Sequence, residues 1–330
     1  MRTLPRRTRR RLVVRAHAKI NLDLRVVGLR SDGFHELRTV FQSIELHDTL
    51  RFAVQPGAFT LTCHQPDVPL NRTNLVWRAA TRLWQALGRD GEPHDMAVSI
   101  DKRIPVRAGL GGGSADAAAS LMALANLWGA QEALEDLDEV AGSLGSDVPY
   151  FLWGGLALGL GRGDEVYPLA DLPRHWVTLV LPGFGVSTAE AYGWYDAAHT
   201  AGRASGREAH RPTGLWPIRS THLGNDLEGP VASRHPEIVA IKAALRAHRA
   251  VATGLSGSGS AVFGLFEVRR DAAVALTALA ESGWRGLLTR TVSRQEYVSR
   301  LIVGRAAGPG PFPPRAASAT RPGSQTTGKR

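Results

Sequence analysis

Apolar and β-branched residues dominate 11–17 and 20–27, and the interruption at Ala18-Lys19 predicts two strands joined or bent near the lysine. Residues 40–46 and 49–54 read as further strands, with Gln55-Pro56-Gly57 as a turn. The period then changes. Leu75, Val76, Ala79, Ala80, Leu83, Trp84 and Leu87 recur at helical spacing and predict a helix over 74–87. A short strand over 96–100 feeds a glycine-rich run, and helices over 114–128 and about 134–144 follow. A second Gly-rich patch, 142–149, precedes the apolar stretch 150–160, and Gly159-Leu160-Gly161-Arg162-Gly163-Asp164 reads as a turn. From about 176 the pattern restarts: a strand over 177–181, a helix over 188–198 and a polar, Arg-rich insertion to about 220. A helix over 236–247, a Gly/Ser turn over 254–260, a strand over 261–266, a helix over 271–281 and a strand over 286–292 complete it. This mixed order favours an α+β fold in two lobes over a doubly wound sheet. No internal repeat is visible.

A chain of 330 residues is long for one core and comfortable for two domains. At 43% hydrophobic and 21% charged residues it is globular in class. The net charge of +10 suggests a nucleic-acid partner until its placement is seen. Residues 1–11 hold six arginines and no acid, and 305–330 hold four arginines and a lysine, again with no acid. The intervening chain sums to −1, so the basic charge belongs to the two ends, which read as solvated tails. Residues 306–330, rich in Gly, Pro, Ser and Thr, are expected to be disordered. No specific nucleic acid is expected as a partner; the competing reading, a nucleic-acid-binding protein acting through these tails, predicts steeply salt-dependent binding lost on their removal. A single cysteine, Cys63, excludes an internal disulfide, and the longest apolar stretches are too short to span a bilayer. With no secretory leader in view, a cytoplasmic protein without a membrane partner is expected.

The richest chemistry lies in Pro105-Val106-Arg107-Ala108-Gly109-Leu110-Gly111-Gly112-Gly113-Ser114-Ala115-Asp116. Four glycines in five residues free the backbone for positive φ and for close approach to a ligand. The run then turns helical, with Ser114 the expected N-cap and Asp116 in the first turn. A glycine loop entering a helix N-terminus aims several N–H donors at one point, which suits phosphate. The plainer reading is a tight turn with no ligand. No lysine follows the glycines as a Walker loop needs, and the third glycine of a Rossmann fingerprint is missing.

Three further pieces accompany the loop. Lys19 sits among apolar residues in Ala18-Lys19-Ile20-Asn21-Leu22, where it either snorkels to solvent or acts. Asp147 lies in Gly145-Ser146-Asp147-Val148-Pro149, where a cap is the plain alternative. Gly257-Ser258-Gly259-Ser260 forms a turn before a strand.

In this order and spacing, the pieces resemble the GHMP kinase superfamily. The blocks Gly33-Phe34-His35-Glu36-Leu37, Gly145-Ser146-Asp147-Val148-Pro149-Tyr150-Phe151-Leu152, Asn225-Asp226-Leu227-Glu228 and Ser256-Gly257-Ser258-Gly259 are similar to the branch that phosphorylates a cytidine diphosphate-linked sugar alcohol for isoprenoid precursor synthesis. The resemblance runs from about residue 13 to 292. It implies an N-terminal lobe like the second domain of ribosomal protein S5 and a ferredoxin-like C-terminal lobe. The expected division is a basic tail over 1–11, an ATP-binding domain over 12–172, a C-terminal domain over 173–303 and a tail over 304–330, with a return of the C-terminal strand left open.

The resemblance also implies roles. The loop from Pro105 to Ala115 (Pro105, Val106, Arg107, Ala108, Gly109, Leu110, Gly111, Gly112, Gly113, Ser114 and Ala115) would wrap the phosphates of ATP. Asp147 would take the proton of the acceptor hydroxyl. Lys19 would keep Asp147 ionised and neutralise charge on the transferring phosphoryl group. Phe34 and His35 would stack on and hydrogen-bond the cytosine, with Tyr192 as the second aromatic and Asn21 near the acceptor. Mg²⁺ is expected with ATP, and Ser114 is the one candidate protein ligand. The alternative within the superfamily is a kinase for a smaller alcohol of the homoserine or mevalonate type. Two departures stand out: Arg107 occupies a position usually filled by a small residue, and Ala115 replaces a frequent serine.

Overall fold

The apolar start of the chain forms one strand rather than two. In the computed structural model, which describes residues 11–130, 137–202 and 223–305, β1 spans Arg11–Leu29. Its ladder with β2 (His35–Ala58) shifts register at His17/Lys19 and again at Asn21/Asp23. Bulges bend a strand and re-aim its side chains, and here they let the strand pass Lys19 unbroken. The even positions Ala16, Ala18, Ile20, Leu22 and Leu24 are buried apolar, and the odd positions His17, Lys19, Asn21 and Asp23 are buried polar. Residues 55–57 lie inside β2 rather than in a turn of their own. The register toward β4 shifts between Val54 and Ala58, which removes the ladder bond that Pro56 could not donate.

After β2 come β3 (Thr60–Cys63), α1 (Leu75–Ala86), β4 (His94–Asp101) and α2 (Gly112–Leu127). They are followed by α3 (Leu137–Leu144), α4 (Tyr150–Trp153), β5 (Leu156–Leu160) and β6 (Glu165–Pro168). Asn74 caps α1 by accepting from the Val76 N–H at 2.8 Å. Every residue of α2 from 115 to 125 is buried, so alanine and other small side chains let it run between the sheet and α1. The turn expected over 159–164 starts two residues later, because Gly159 and Leu160 pair in β5.

The second lobe runs β7 (Trp176–Leu181), α5 (Thr188–Gly202), α6 (Glu228–Ala232), α7 (Glu237–Ala247), β8 (Ala252–Leu255), β9 (Val262–Phe266), α8 (Arg269–Glu281) and β10 (Arg285–Arg290). Its four strands lie in the order β10-β7-β9-β8, all antiparallel, which is the ferredoxin-like arrangement. One sheet face packs on α7 and α8 through Val180, Val262, Phe266, Ile238 and Leu279. The other face, Val177, Leu179, Phe263 and Leu265, joins Ile20, Leu22, Ile44 and Leu110 of the first lobe in a shared core. With both faces covered, β7 reads as a near-continuous apolar run rather than an alternating one, interrupted by Thr178, whose buried hydroxyl donates to the Ala272 carbonyl at 2.8 Å.

The chain then returns. Ser293 and Glu296 form a capping box that opens α9 (Arg294–Leu301), and β11 (Ile302–Arg305) pairs antiparallel with β1, Leu12 opposite Arg305. The sheet order is β11-β1-β2-β4-β3, with β5 beside β2 and β6. Residues 294–305 therefore pack with the first lobe and not with the 173–303 unit expected from the sequence, because Tyr297 and Leu301 bury their side chains against Met122 of α2. Arg11, Gly304 and Arg305 lie in strands. The rest of both basic tails and the Arg-rich insertion over 203–222 fall outside the described residues.

His17 sets a pH limit on this core. Its Nδ1 lies 3.1 Å from the Ile44 carbonyl oxygen, and its buried Nε2 has no partner among the described residues. Burial, followed by the charge of His47, pushes its pKa down from 6.5 to about 4. The unfolded chain therefore takes up this proton below pH 6.5 while the folded one does not, so stability present at neutral pH falls as the pH drops from 6.5 toward 4. Urea unfolding at pH 7 and pH 4.5 is expected to show about 2–3 kcal/mol of acid loss that His17→Gln removes.

Candidate active site

Residues 105–111 connect β4 to α2, and their backbone is turned with its carbonyls toward protein. The Ala108 carbonyl accepts from Ala261 N–H at 3.1 Å, and the Leu110 carbonyl accepts from Lys19 N–H at 3.0 Å. The Gly109 carbonyl accepts from both Lys19 Nζ and Ser256 Oγ at 2.9 Å. No backbone N–H from Val106 to Ser114 donates to an acceptor among the described residues. Helix α2 starts at Gly112, and its first internal bond is Ala115 N–H to Gly111 at 2.8 Å. The loop is thus a set of free donors at a helix N-terminus, an arrangement that can hold a polyanion.

Two expectations about this helix change. Ser114 is not the N-cap: Gly111 caps the helix in left-handed conformation, with no side-chain bond. A serine cap would consume one of the N–H groups that the loop leaves open. Asp116 lies beyond the first turn, and its carboxylate turns to Lys102 instead, at 2.7 Å. Lys102 also donates to Asp48 at 2.5 Å, and Asp48 accepts from the N–H groups of Arg103 and Ile104 at 2.5 and 2.8 Å. This buried cluster fixes the entry to the loop. Burial, opposed by Lys102 and reinforced by Asp48, pushes the Asp116 carboxyl up from its ordinary value. Burial would lower Lys102, but the two carboxylates outweigh it and raise it. Asp48 and Lys102 went unrecognised in the sequence, where no local pattern links them to Asp116.

Lys19 is 3% exposed. Its Nζ donates to Asn21 Oδ1 at 2.6 Å and lies 3.5 Å from Asp147 Oδ2. Asn21 is oriented in turn by donating to Thr39 Oγ1 at 2.8 Å. Asp147 stands in the turn before α4, with its side chain about a third exposed to the cleft. The Ser256–Gly259 turn closes the site from the second lobe. Asn225 holds that turn by donating to the carbonyls of Leu255 and Gly257 at 2.9 and 2.7 Å. Asp226 ties the same segment to β1 through Val26 N–H at 2.9 Å and Arg25 at 3.1 Å. The Asn-Asp-Leu-Glu block is therefore a brace that sets the second lobe's turn against Lys19.

The remaining candidates gather at the other end of the cleft, which measures about 1050 Å³. His35 opens β2, stacks on Tyr192 with ring centroids 4.7 Å apart and shares a 2.8 Å hydrogen bond with Asp196. Phe34 is exposed at the tip of the β1–β2 turn, with the Arg162 guanidinium 5.2 Å from its ring centroid. Burial and the charge of Asp147 raise the Tyr192 phenol above its ordinary value. Lys19, Asn21, Phe34, His35, Asp147, Tyr192 and loop residues 105–114 all line this one cleft; Ala115 is buried behind it. Asp196 was missed, being 161 residues from His35 with no motif to mark it.

A buried cation beside a carboxylate and a phosphate-type cradle, between two α+β lobes, defines a small-molecule kinase site. The GHMP kinases N terminal domain matches residues 74–155, and the GHMP kinases C terminal domain matches residues 217–283. The 4-diphosphocytidyl-2-C-methyl-D-erythritol kinase of Solibacter usitatus (strain Ellin6076) is 43% identical over 295 residues, covering 88% of this chain and 92% of its own. The enzyme of that name from Moorella thermoacetica (strain ATCC 39073 / JCM 9320) is 40% identical, over 85% of this chain and 99% of its own. A crystal structure of 4-(cytidine 5'-diphospho)-2C-methyl-D-erythritol kinase superimposes with a TM-score of 0.66 at 35% identity, over 85% of this chain and 99% of that one. The chain belongs to the 4-diphosphocytidyl-2-C-methyl-D-erythritol kinase family of the GHMP kinases, and it is a phosphotransferase. Homoserine kinase from Cytophaga hutchinsonii, at 17% identity and a TM-score of 0.61, shares the fold. Among the described residues, no helix is long and apolar enough to cross a membrane.

Proposed function

We propose that this protein transfers the γ-phosphoryl group of ATP to the 2-hydroxyl of 4-diphosphocytidyl-2-C-methyl-D-erythritol, a step of the non-mevalonate isoprenoid precursor pathway. The observation that carries the reading is the placement of Lys19 Nζ against both the loop carbonyl of Gly109 and the Asp147 carboxylate. The open N–H groups of the loop take the triphosphate. Asp147 orients the acceptor hydroxyl and receives its proton as the oxygen attacks the γ-phosphorus. The new O–P bond forms as the bond to the β,γ-bridging oxygen breaks, and ADP leaves. Such transfers pass through a loose transition state, so positioning and charge neutralisation by Lys19 outweigh the strength of the base.

Mg²⁺ travels with ATP and can keep most of its waters. Ser114 lines the cleft in the first turn of α2, and its hydroxyl makes no hydrogen bond among the described residues, so it fits as the single protein ligand. Among the described residues, no three His, Cys, Asp or Glu side chains cluster around it. The ion would neutralise phosphate charge. We assign the enzyme to the cytoplasm, where its nucleotide co-substrate is made and where the lone Cys63 stays reduced.

The cytidine end rests on His35, which Asp196 and Tyr192 hold at the far wall of the cleft. An imidazole can both donate to and accept from the hydrogen-bonding edge of cytosine, and Phe34 offers a free face for stacking. ATP turnover is expected with the cytidyl alcohol and not with homoserine or mevalonate, and CMP and CDP should compete with the acceptor. His35→Ala should raise the KM for the acceptor about tenfold and weaken CMP inhibition equally, as loss of one or two hydrogen bonds predicts. Transfer to an acceptor lacking cytidine, with none to the cytidyl alcohol, would defeat this reading.

A further inference from the structure

Two polyanions must share this cleft if its acceptor carries a diphosphate, and the cations lining it are already distributed. Lys19 is committed to Asp147 and Asn21, Lys102 to Asp48 and Asp116, and Arg162 to Asp164 at 2.6 Å. Arg107 also lines the cleft, and its guanidinium makes no hydrogen bond or ion pair among the described residues.

The backbone at Arg107 is unusual. Its φ is +55°, in the left-handed region that the same loop reaches with glycine at Gly109 and Gly111. A side chain there is strained. Among the described residues, two other non-glycine residues share such a φ, Asp95 and Arg249, and each has a local reason. Arg249 follows the C-terminus of α7, and the Asp95 carboxylate accepts from Gly57 N–H at 3.0 Å. Arg107 has neither setting, and among the described residues its guanidinium has no hydrogen-bond partner to hold it.

Its position shows where. The Arg107 backbone and Cβ pack over Gly185, so close that a Cβ added there would come within 3.3 Å of the Arg107 Cβ. Gly185 leads into α5, whose start is fixed by reciprocal bonds between Ser187 and Glu190 at 3.0 and 3.2 Å. The charge of Arg107 is felt at Glu190, among the groups that lower that carboxyl. Tyr192 and Asp196 follow on the same helix and hold His35. Arg107 thus stands between the phosphate loop and the wall that ends in the base-recognition residues.

We propose that Arg107 is the receptor for the diphosphate of the cytidine-linked acceptor, which it grips with its guanidinium fork while the loop backbone keeps the phosphates of ATP. This rests on the acceptor assignment above and adds the group that binds the acceptor's charge. A guanidinium matches two phosphate oxygens at once, which a lysine cannot do.

The test compares wild type with Arg107→Gly and Arg107→Lys. Arg107→Gly is expected to raise Tm by a degree or two, since it relieves the left-handed strain. The same variant should raise the KM for the acceptor about 10- to 100-fold, as loss of charge-assisted hydrogen bonds predicts, with the KM for ATP near wild type. Calorimetric affinity for CDP should fall by the same factor, and affinity for cytidine should not. Arg107→Lys should recover part of the loss. An effect on ATP alone, an equal loss for cytidine and CDP, or no effect on either overturns the assignment. A wild type that neither binds cytidine nor turns over the cytidyl alcohol overturns the acceptor reading, and the role of Arg107 falls with it. A wild type that does both while Arg107→Gly loses neither overturns Arg107 alone.

Discussion

Replacing Lys19 with methionine is expected to lower kcat by about three orders of magnitude while the protein stays folded. Methionine is one atom shorter but keeps most of the apolar stem, so the packing against the Phe41 ring, 5.7 Å from Nζ, survives in large part. What goes is the one charge that meets the Gly109 carbonyl, Asn21 and Asp147 together. In a site shielded from water a positioned cation is worth far more than the same cation at the surface, because no solvent has to reorganise when negative charge shifts during transfer. Asp147→Asn should cost less, about 10²–10⁴-fold, because a loose transition state takes the hydroxyl proton late. The double variant should cost far less than the product of the two, since each residue acts through the other. Single-turnover rates at saturating ATP and acceptor measure all three. A Lys19→Met enzyme that kept a tenth of its turnover would make Lys19 a strut for the loop rather than part of the chemistry.

Gly109→Ala is expected to destroy the phosphate loop. Two independent obstacles meet at this residue. Its φ is +73°, where an L side chain is strained by about 1–2 kcal/mol. A Cβ there would also sit 2.0 Å from the carbonyl oxygen of Ser256. That oxygen cannot retreat, because Ser256 is buried and its carbonyl accepts from Gly259 N–H at 2.9 Å while its own N–H is bonded to Ala261. The loop must therefore lift away from the second lobe, which breaks the contacts of Gly109 with Lys19 and Ser256 at once. A loss of about 3–5 kcal/mol in stability and of at least about 10³-fold in kcat/KM for ATP is expected, from denaturant unfolding and steady-state kinetics. Gly113→Ala is the control for folding. It lies inside α2 with no positive φ, and its added Cβ meets only Leu75 Cδ1, at 3.4 Å. Its Tm should equal or exceed that of the wild type, since alanine favours a helix over glycine by about 1 kcal/mol. If Gly109→Ala unfolded at the same midpoint as this control, the close approach of the two lobes would be dispensable.

How much of this was legible before the structure depends on the distance over which each signal acts. The helix of 75–86 announces itself by period and by Asn74, and the glycine run announces free donors ahead of a helix. Those are local signals. Helix α2 starts two residues before Ser114, which is a good cap in isolation, whereas a helix that must leave its N–H groups open is better begun by glycine. Two strands joined or bent near Lys19 are what a lysine among apolar residues suggests, and the bulges supply the bend within one strand; bulges that carry a strand past a charge leave no trace in composition. Helix α9 carries the capping-box spacing in Ser293-Arg294-Gln295-Glu296, but its apolar face is too short to set a period, and only Tyr297 and Leu301 of it are buried. The pairings of Lys102 with Asp48 and of His35 with Asp196 span 54 and 161 residues. Only the folded backbone sets them side by side.

The return of β11 to the edge of β1 has a consequence in time. The segment from β7 to β10 is contiguous, and its helices and strands can assemble as soon as they leave the ribosome. The sheet that carries Lys19 cannot close in the same way. The outer edge of β1 at Leu12 and Val13 stays open until Gly304 and Arg305 have been made. An open strand edge is a template for wrong partners. The lobe synthesised first is thus the one completed last, and its open edge persists through the synthesis of the whole second lobe.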